Sequence, residues 1–239
     1  MTWSIVARDP STGEFGVAVT TKFFAVGALC PYARSGVGAL ATQALVNPLY
    51  GFRGLRLLAE GVPAPDVVRL LTEADDGRET RQVHVIDAAG RNAAHTGPDC
   101  IGWAGHLVRA GFSVAGNMLV GPPVIEETAA AYERGAALPF AERLIGALDA
   151  GQAAGGDKRG KQSAALLIYS TEEYPRLDLR VDDHAEPLVE LRRLLEESRR
   201  IFQPYNKFIA TRANPSGVFD RGVINAEIAR VQAELDKVQ

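Results

Sequence analysis

The opening stretch, TWSIVARD, alternates apolar and polar positions in part and is rich in β-formers; DPSTGE then clusters turn residues, and FGVAVTTK returns to a strand pattern. So short a connection predicts an antiparallel hairpin. SGVGALATQ reads as a buried strand of small residues. NPLYGFRGLRLLAEG changes to helical spacing, with Asn47 as N-cap, Pro48 at the first helical position and Gly61 at the stop. A second helical piece covers 66–74. RQVHVIDAAGRNAAHTG predicts another hairpin, turning at Ala88, Ala89 and Gly90, and GFSVAGN predicts a strand that ends in a polar residue. Helices are predicted over 122–134 and 139–150. Two strands follow, QSAALLIY and RLDLRVDD; the first is apolar throughout, which predicts cover on both faces.

Hairpin strands with segregated helical blocks argue for an α+β fold over a parallel sheet of alternating βαβ units. Two stacked sheets between helix layers fit this order, and the main domain is expected to span 1–185. From Glu186 a helix runs through LVELRRLLEESRRIF, the stretch NKFIATRANPSGVFDRG looks irregular, and the last segment spaces Ile224, Ile228, Val231, Leu235 and Val238 as a heptad seam. That seam is too short for an independent coiled coil. Residues 186–239 are therefore expected to dock on their own domain or on another subunit, which points to a homodimer or a higher homo-oligomer.

With 239 residues, 46% of them hydrophobic, the chain can bury a sizeable core. Its formal net charge of -3 argues against nucleic acid or an anionic membrane as the main partner, because both select basic patches. No apolar run reaches the ~18 residues of a membrane helix, and no secretion signal is expected. The two cysteines, Cys30 and Cys100, allow at most one disulfide. A cytoplasmic protein with reduced thiols is the expectation.

Several motifs fall short of a site. GGDKRGKQS has the G-x-x-x-x-G-K spacing at Gly155, Gly160 and Lys161, but Gln162 stands where Ser or Thr must hold magnesium, and the stretch opens a strand instead of a helix. Asp182 and His184 share a strand face, yet two ligands make no metal centre. His95 has no G-x-S-x-G elbow to partner it, and Cys30 reads as a buried thiol. No metal or cofactor is expected.

Thr2 is different. Removal of Met1, usual before a small second residue, would expose an α-amine beside the Thr2 hydroxyl, a nucleophile with its own base. The same residue is also simply a good strand former. If the hairpin turns near Thr12, opposed residue numbers sum to about 24, which sets Lys22 across from Thr2 to within a residue. An ammonium there would lower the amine's pKa toward neutrality. Asp9 lies at the far end of the hairpin, about 20 Å away at roughly 3.3 Å per residue, and is excluded from the chemistry.

A terminal Thr, a hairpin, a strand-to-helix passage rich in glycine and a later strand-Gly-polar-helix passage together resemble the N-terminal nucleophile hydrolases, and within them the proteasome β-subunit branch. More closely, MTWSIVARDP, GVAVTTKFFAVGA, ATQALVNPLYG, GNMLVG and GGDKRGKQSAAL resemble a bacterial family known as domain of unknown function 1028, over about 1–195. The resemblance implies a four-layer αββα sandwich with a helical C-terminal extension, and amide hydrolysis through a Thr2 acyl-enzyme. It implies oxyanion or substrate contacts from Gln43 and its neighbours in ATQALVN and from Gly116 with Asn117, whose amide would donate to an oxyanion. Asp157 and Ser163 correspond loosely to an acid and a serine of the superfamily. Its catalytic lysine falls where Arg34 stands, and Arg supplies charge but no base. Lys22, Arg34 and the amine alone therefore stand as alternatives. The expected activity is that of an amidohydrolase on a small or peptide-like amide; the alternative is a non-catalytic protein that binds a ligand in the same cleft or serves in an assembly.

Overall fold

The computed structural model describes residues 2–237; Met1, whose removal the Thr2 chemistry requires, and Val238 of the C-terminal seam lie outside the described residues. The chain divides into two units, Met1–Leu191 and Arg192–Gln239. In the first unit, β1 (Thr2–Arg8) and β2 (Phe15–Thr21) are followed by β3 (Pro31–Arg34) and β4 (Gly38–Ala44). Helices α1 (Leu49–Ala59) and α2 (Ala64–Glu73) lead to β5 (Arg81–Asp87), β6 (Asn92–Thr96), β7 (Trp103–Arg109) and β8 (Phe112–Leu119). Then come α3 (Pro123–Arg134), α4 (Phe140–Ala153), β9 (Ser163–Tyr169) and β10 (Leu177–Val181), and α5 (Pro187–Ser198) crosses into the second unit. That unit continues with α6 (Phe202–Asn206) and α7 (Arg221–Leu235). No helix among the described residues is long and apolar enough to cross a membrane.

The strands form two sheets, ordered β10-β9-β2-β1-β8-β7 and β3-β4-β5-β6, and every pairing between them is antiparallel. Mixed α/β composition with two antiparallel sheets, and no closed barrel, is what the hairpin pattern calls for. Helices α3 and α4 pack on the larger sheet and α1 and α2 on the smaller, while β1, β2 and β8 of one sheet meet β4 and β5 of the other.

The period of two along each strand divides the core. Val6, Phe15, Val17, Val19, Ala39, Ala41, Ile86, Ala165 and Leu167 meet between the sheets. Leu40, Val83 and Val85 face the other way, against Tyr50, Leu58, Val67 and Leu71 of the helices. Both faces of β2, β4, β5 and β9 are therefore buried, as the apolar run of β9 requires.

The first hairpin closes at Arg8 opposite Phe15 and ends at Thr2 opposite Thr21. Asp9 N–H donates to the Glu14 carbonyl at 2.8 Å, and Gly13 supplies the left-handed residue of the turn with φ 76. Asn47 acts as the expected cap, its Oδ1 accepting from Leu49 N–H at 3.1 Å. β3 and β7 escape the sequence pattern because each is a sheet edge. The four residues of β3 start at a proline, and β7 is only half buried, so neither carries a two-faced apolar signal.

Candidate functional site

At one end of the inter-sheet space the facing surfaces turn polar. Thr2 and Ser4 of β1, Gln43 of β4, Gln82 and His84 of β5, and Ser113 and Asn117 of β8 all point inward by strand parity, and all are buried. Buried polar groups are tolerated only when they are hydrogen-bonded, and here they partner one another across the sheets. Gln43 Nε2 donates to Gln82 Oε1 at 2.7 Å and to the Ala115 carbonyl at 3.1 Å, and its Oε1 accepts from Ser4 Oγ at 2.7 Å. Gln82 Nε2 reaches the Gly116 carbonyl at 2.9 Å, and Asn117 Nδ2 donates to Gln82 Oε1 at 3.1 Å. The Thr2 carbonyl receives long contacts from Gln43 Nε2 and Asn117 Nδ2, at 3.5 and 3.4 Å.

His84 completes this network and fixes its proton directions. Its Nε2 lies 2.8 Å from Ser4 Oγ and its Nδ1 2.9 Å from Ser113 Oγ. Because the Ser4 proton goes to Gln43, the network assigns the hydrogen to Nε2, donating to Ser4, and leaves Nδ1 to accept from Ser113. Only the neutral ring satisfies both serines. Burial, reinforced by His106, lowers the His84 pKa to about 3.

Thr2 sits on top of this platform. Its hydroxyl donates to Thr21 Oγ1 at 3.1 Å, and it borders a cavity of about 210 Å³ lined by Phe23, Val26, Cys30, Ala44 and Leu45 among others. The lining is apolar, and burial pushes the Cys30 thiol up to about 12, so it stays protonated and contributes packing. Thr42 N–H bonds the Cys30 carbonyl at 3.1 Å. By strand period the Ala44 N–H points to the same side, beyond the end of β3, where it has no backbone acceptor among the described residues. An amide so placed at the cavity wall is a donor available to a carbonyl oxygen.

The loop that closes the cavity is pinned from beneath. Asp157 accepts from Lys22 N–H at 2.9 Å and from Arg159 N–H at 2.7 Å. Ser163 Oγ donates to the Phe23 carbonyl and accepts from Val26 N–H at 3.2 Å, and Ala25 N–H bonds the Asp182 carbonyl at 2.9 Å. Asp157 and Ser163 thus shape the loop through its backbone. Gln43 and Asn117 join Thr2 as its support.

Other expected site residues are placed differently. The hairpin register is one residue shorter than expected, so Thr21 and not Lys22 faces Thr2. Lys22 follows the end of β2 and its Nζ donates to the Lys161 carbonyl at 3.2 Å on an exposed surface. Arg34 pairs with Gly38 at the opposite end of β4 from Gln43, roughly 16 Å away at 3.3 Å per residue, and does not belong to the site. Gly116 and Asn117 lie inside β8, not in a loop. Gly116 turns its missing side chain toward the helices, where a Cβ would lie 2.4 Å from Leu119 Cδ1 and 3.0 Å from Trp3 Cβ. The Asn117 Nδ2 donates into the interior, to Gln82 Oε1 and the Thr2 carbonyl, and so is turned away from an incoming oxyanion. GGDKRGKQS runs from α4 into β9, as its inverted context requires, and Asp182 pairs with Arg180 at 3.0 Å.

Ser4, Gln82, His84 and Ser113 belong to no motif in the sequence. The signal was present in RQVHVID, whose Gln82, His84 and Ile86 share one face, but that face reads as a solvated one until a second sheet is known to cover it.

Residues 2–191 match a family described as being of unknown function, DUF1028. The chain belongs to that family. A crystal structure of a DUF1028 protein from Silicibacter pomeroyi superposes with a TM-score of 0.85 at 29% identity, covering 92% of this chain and 99% of the other. Anbu, an ancestral β-subunit from Yersinia bercovieri, aligns with 82% of this chain and 94% of its own at 14% identity, with a TM-score of 0.38, too low to bear on the fold. Among curated proteins none matches this member of DUF1028.

Proposed function

We propose that the protein is an amidohydrolase of the N-terminal nucleophile type, built as an αββα sandwich, that cleaves a small or peptide-like amide through a Thr2 acyl-enzyme after removal of Met1. One observation carries the reading: Thr2 stands at the end of a central strand, its carbonyl over a buried amide platform, beside an apolar cavity whose wall presents the Ala44 N–H. With the Lys22 ammonium turned to the Lys161 carbonyl, the base in this mechanism is the Thr2 α-amine. It accepts the hydroxyl proton as Oγ1 attacks the amide carbon, then passes that proton to the leaving amine. The developing oxyanion is directed to the Ala44 N–H. Gln43 and Asn117 act as positioning residues for the nucleophile's backbone.

The test is intact mass followed by labelling with a β-lactone. The reading expects a chain that begins at Thr2, one covalent adduct on the N-terminal peptide, no adduct in Thr2→Ala, and partial labelling in Thr2→Ser. A chain that keeps Met1 quantitatively, or an adduct on another peptide, overturns it. The engagement of Lys22 elsewhere favours a second reading, in which the same cavity binds a ligand without turnover. The exposed apolar residues of the C-terminal unit, among them Phe219 at 85% and Val223 at 50% exposure, support a homodimer built through residues beyond Phe202.

A further inference from the structure

A second cavity, of about 690 Å³, opens at the other end of β1. Arg8, one of its lining residues, stands six residues from Thr2, about 20 Å along an extended strand. The Thr2 site and this cavity share no lining residue. Arg8, Arg109 and Arg143 converge on it from β1, β7 and α4, around Phe112 and Tyr132.

The state of these arginines is unusual. An exposed arginine normally pairs with a carboxylate or extends into water, and among the described residues Arg69, Arg81, Arg91, Arg176, Arg180 and Arg199 pair with carboxylates. Arg109 and Arg143 are instead held by neutral groups. Arg143 Nε donates to the Tyr132 carbonyl at 2.6 Å and its guanidinium lies 3.7 Å above the Tyr132 ring. Arg109 Nη1 donates to the Val108 carbonyl at 3.3 Å. Among the described residues none of the three has a carboxylate within ion-pair distance. Glu133 also lines the cavity, so the wall carries an excess of positive charge. Asp9, next to Arg8, directs its Oδ1 to the Ser11 N–H and hydroxyl while its charge reaches the Tyr132 hydroxyl, so three guanidinium groups stand against two carboxylates.

Stacking on a ring and a bond from Nε fix the plane of the Arg143 guanidinium and leave its terminal nitrogens free. That is the pre-organised fork that receives a phosphate or a carboxylate in two parallel hydrogen bonds. Like charges gathered in a concavity repel one another, and an anion placed among them relieves the repulsion while the cavity walls limit screening. Phe112 and Tyr132 supply an apolar floor for the body of such a ligand. We propose that this cavity binds a small organic molecule bearing two or more oxyanion groups, phosphate or carboxylate, at a site separate from Thr2.

The full-length protein is titrated calorimetrically with inorganic pyrophosphate in one arm and citrate in the other, at low and at high ionic strength. The proposal expects saturable one-to-one binding of at least one probe, weakened by salt, and the stronger arm tells phosphate from carboxylate chemistry. Arg143→Gln and Arg109→Gln should each weaken the dissociation constant at least about tenfold, the usual scale for a lost charge-assisted bond. Arg109 is exposed, so its variant keeps the fold even if Arg143→Gln does not. Lys158→Gln removes one charge from an exposed loop that follows α4 and should leave binding within about twofold. Absence of saturable binding by both probes in the millimolar range overturns the proposal. So does equal weakening by Lys158→Gln, which would reduce the effect to net charge. β-Lactone labelling of Thr2 is expected to be unchanged in the arginine variants, which keeps the two sites' tests separate.

Discussion

Replacing Gln43 by Met removes the central member of the buried network while nearly conserving side-chain volume. Three partners lose a close bond, besides the long contacts of the Thr2 carbonyl at 3.5 Å and the Cys30 thiol at 3.7 Å. The Ser4 hydroxyl loses its acceptor at 2.7 Å, Gln82 Oε1 keeps only Asn117 of its two donors, and the Ala115 carbonyl loses a donor at 3.1 Å. Gln43 itself is 2% exposed and Ser4 and Gln82 are 0% exposed, so water does not replace these bonds. A stranded buried polar group costs about 1–3 kcal/mol. The Ser4 proton is stranded although its oxygen still accepts from His84 Nε2, and two carbonyl oxygens each lose one donor, against about 1 kcal/mol gained by burying methylenes in place of an amide. The expected destabilisation of Gln43→Met is about 2–4 kcal/mol, read as a lowered urea midpoint at unchanged m-value.

The same geometry predicts non-additivity. In Gln43→Met the Ser4 hydroxyl is a liability, so removing it by Ser4→Ala should cost less than in the native background. The cycle should show a coupling of about 1 kcal/mol, within the range for residues sharing one network. A single-variant loss below about 1 kcal/mol, or strict additivity of the pair, would refute the idea that the inter-sheet polar layer is a mutually satisfied network.

Two further outcomes are expected. Because His84 has a folded-state pKa of about 3 against an ordinary 6.5, the unfolded chain takes up a proton below pH 6.5 that the folded chain refuses. Stability should therefore fall as pH drops from 6.5 toward 3, by about 2 kcal/mol at pH 5 from this group, and comparing denaturation of the native protein with His84→Gln at pH 7 and pH 5 checks that the slope belongs to His84. Truncation after Phe202 is expected to lower the oligomeric mass measured by light scattering; retention of both mass and melting temperature would show that α7 does not hold copies together.

The sequence disclosed the strands whose two faces are both apolar, and the helices with caps. Asn47 and the proline-led starts of α3 and α4 mark their helices because the capping chemistry is local. Sheet edges and inward polar positions are not local. In β5, Val83 and Val85 look like the core face and Gln82 and His84 like the solvent face, yet helices cover the first and a second sheet covers the other. Nothing within seven residues distinguishes a polar row facing water from one facing another polar row across an interface. Lys22 shows the same limit: a one-residue change of register moves a side chain across the pleat, and only the turn geometry around Asp9, Glu14 and Gly13 decides it.

The backbone adds a signal that composition could not carry. Three non-glycine residues hold left-handed φ values among the described residues: Ala25 at 52, Ala44 at 70 and Met118 at 54. Each stands next to the Thr2 end of the inter-sheet space. Ala25 belongs to the loop that Asp157 and Ser163 tie down, Ala44 follows Gln43, and Met118 follows Asn117. Such conformations cost about 1–3 kcal/mol each and persist where the surroundings over-determine them. Here the surroundings do so: buried side-chain bonds grip the residue before Ala44 and the residue before Met118, while the Asp182 carbonyl accepts from Ala25 N–H and the Ser163 hydroxyl from Val26 N–H. A fold selected for stability alone has no reason to gather three strained residues at one end of its core. Their meeting around Thr2, and not around the hairpin turns where left-handed residues are cheap glycines, is the physical argument that this end of the molecule is shaped for a task.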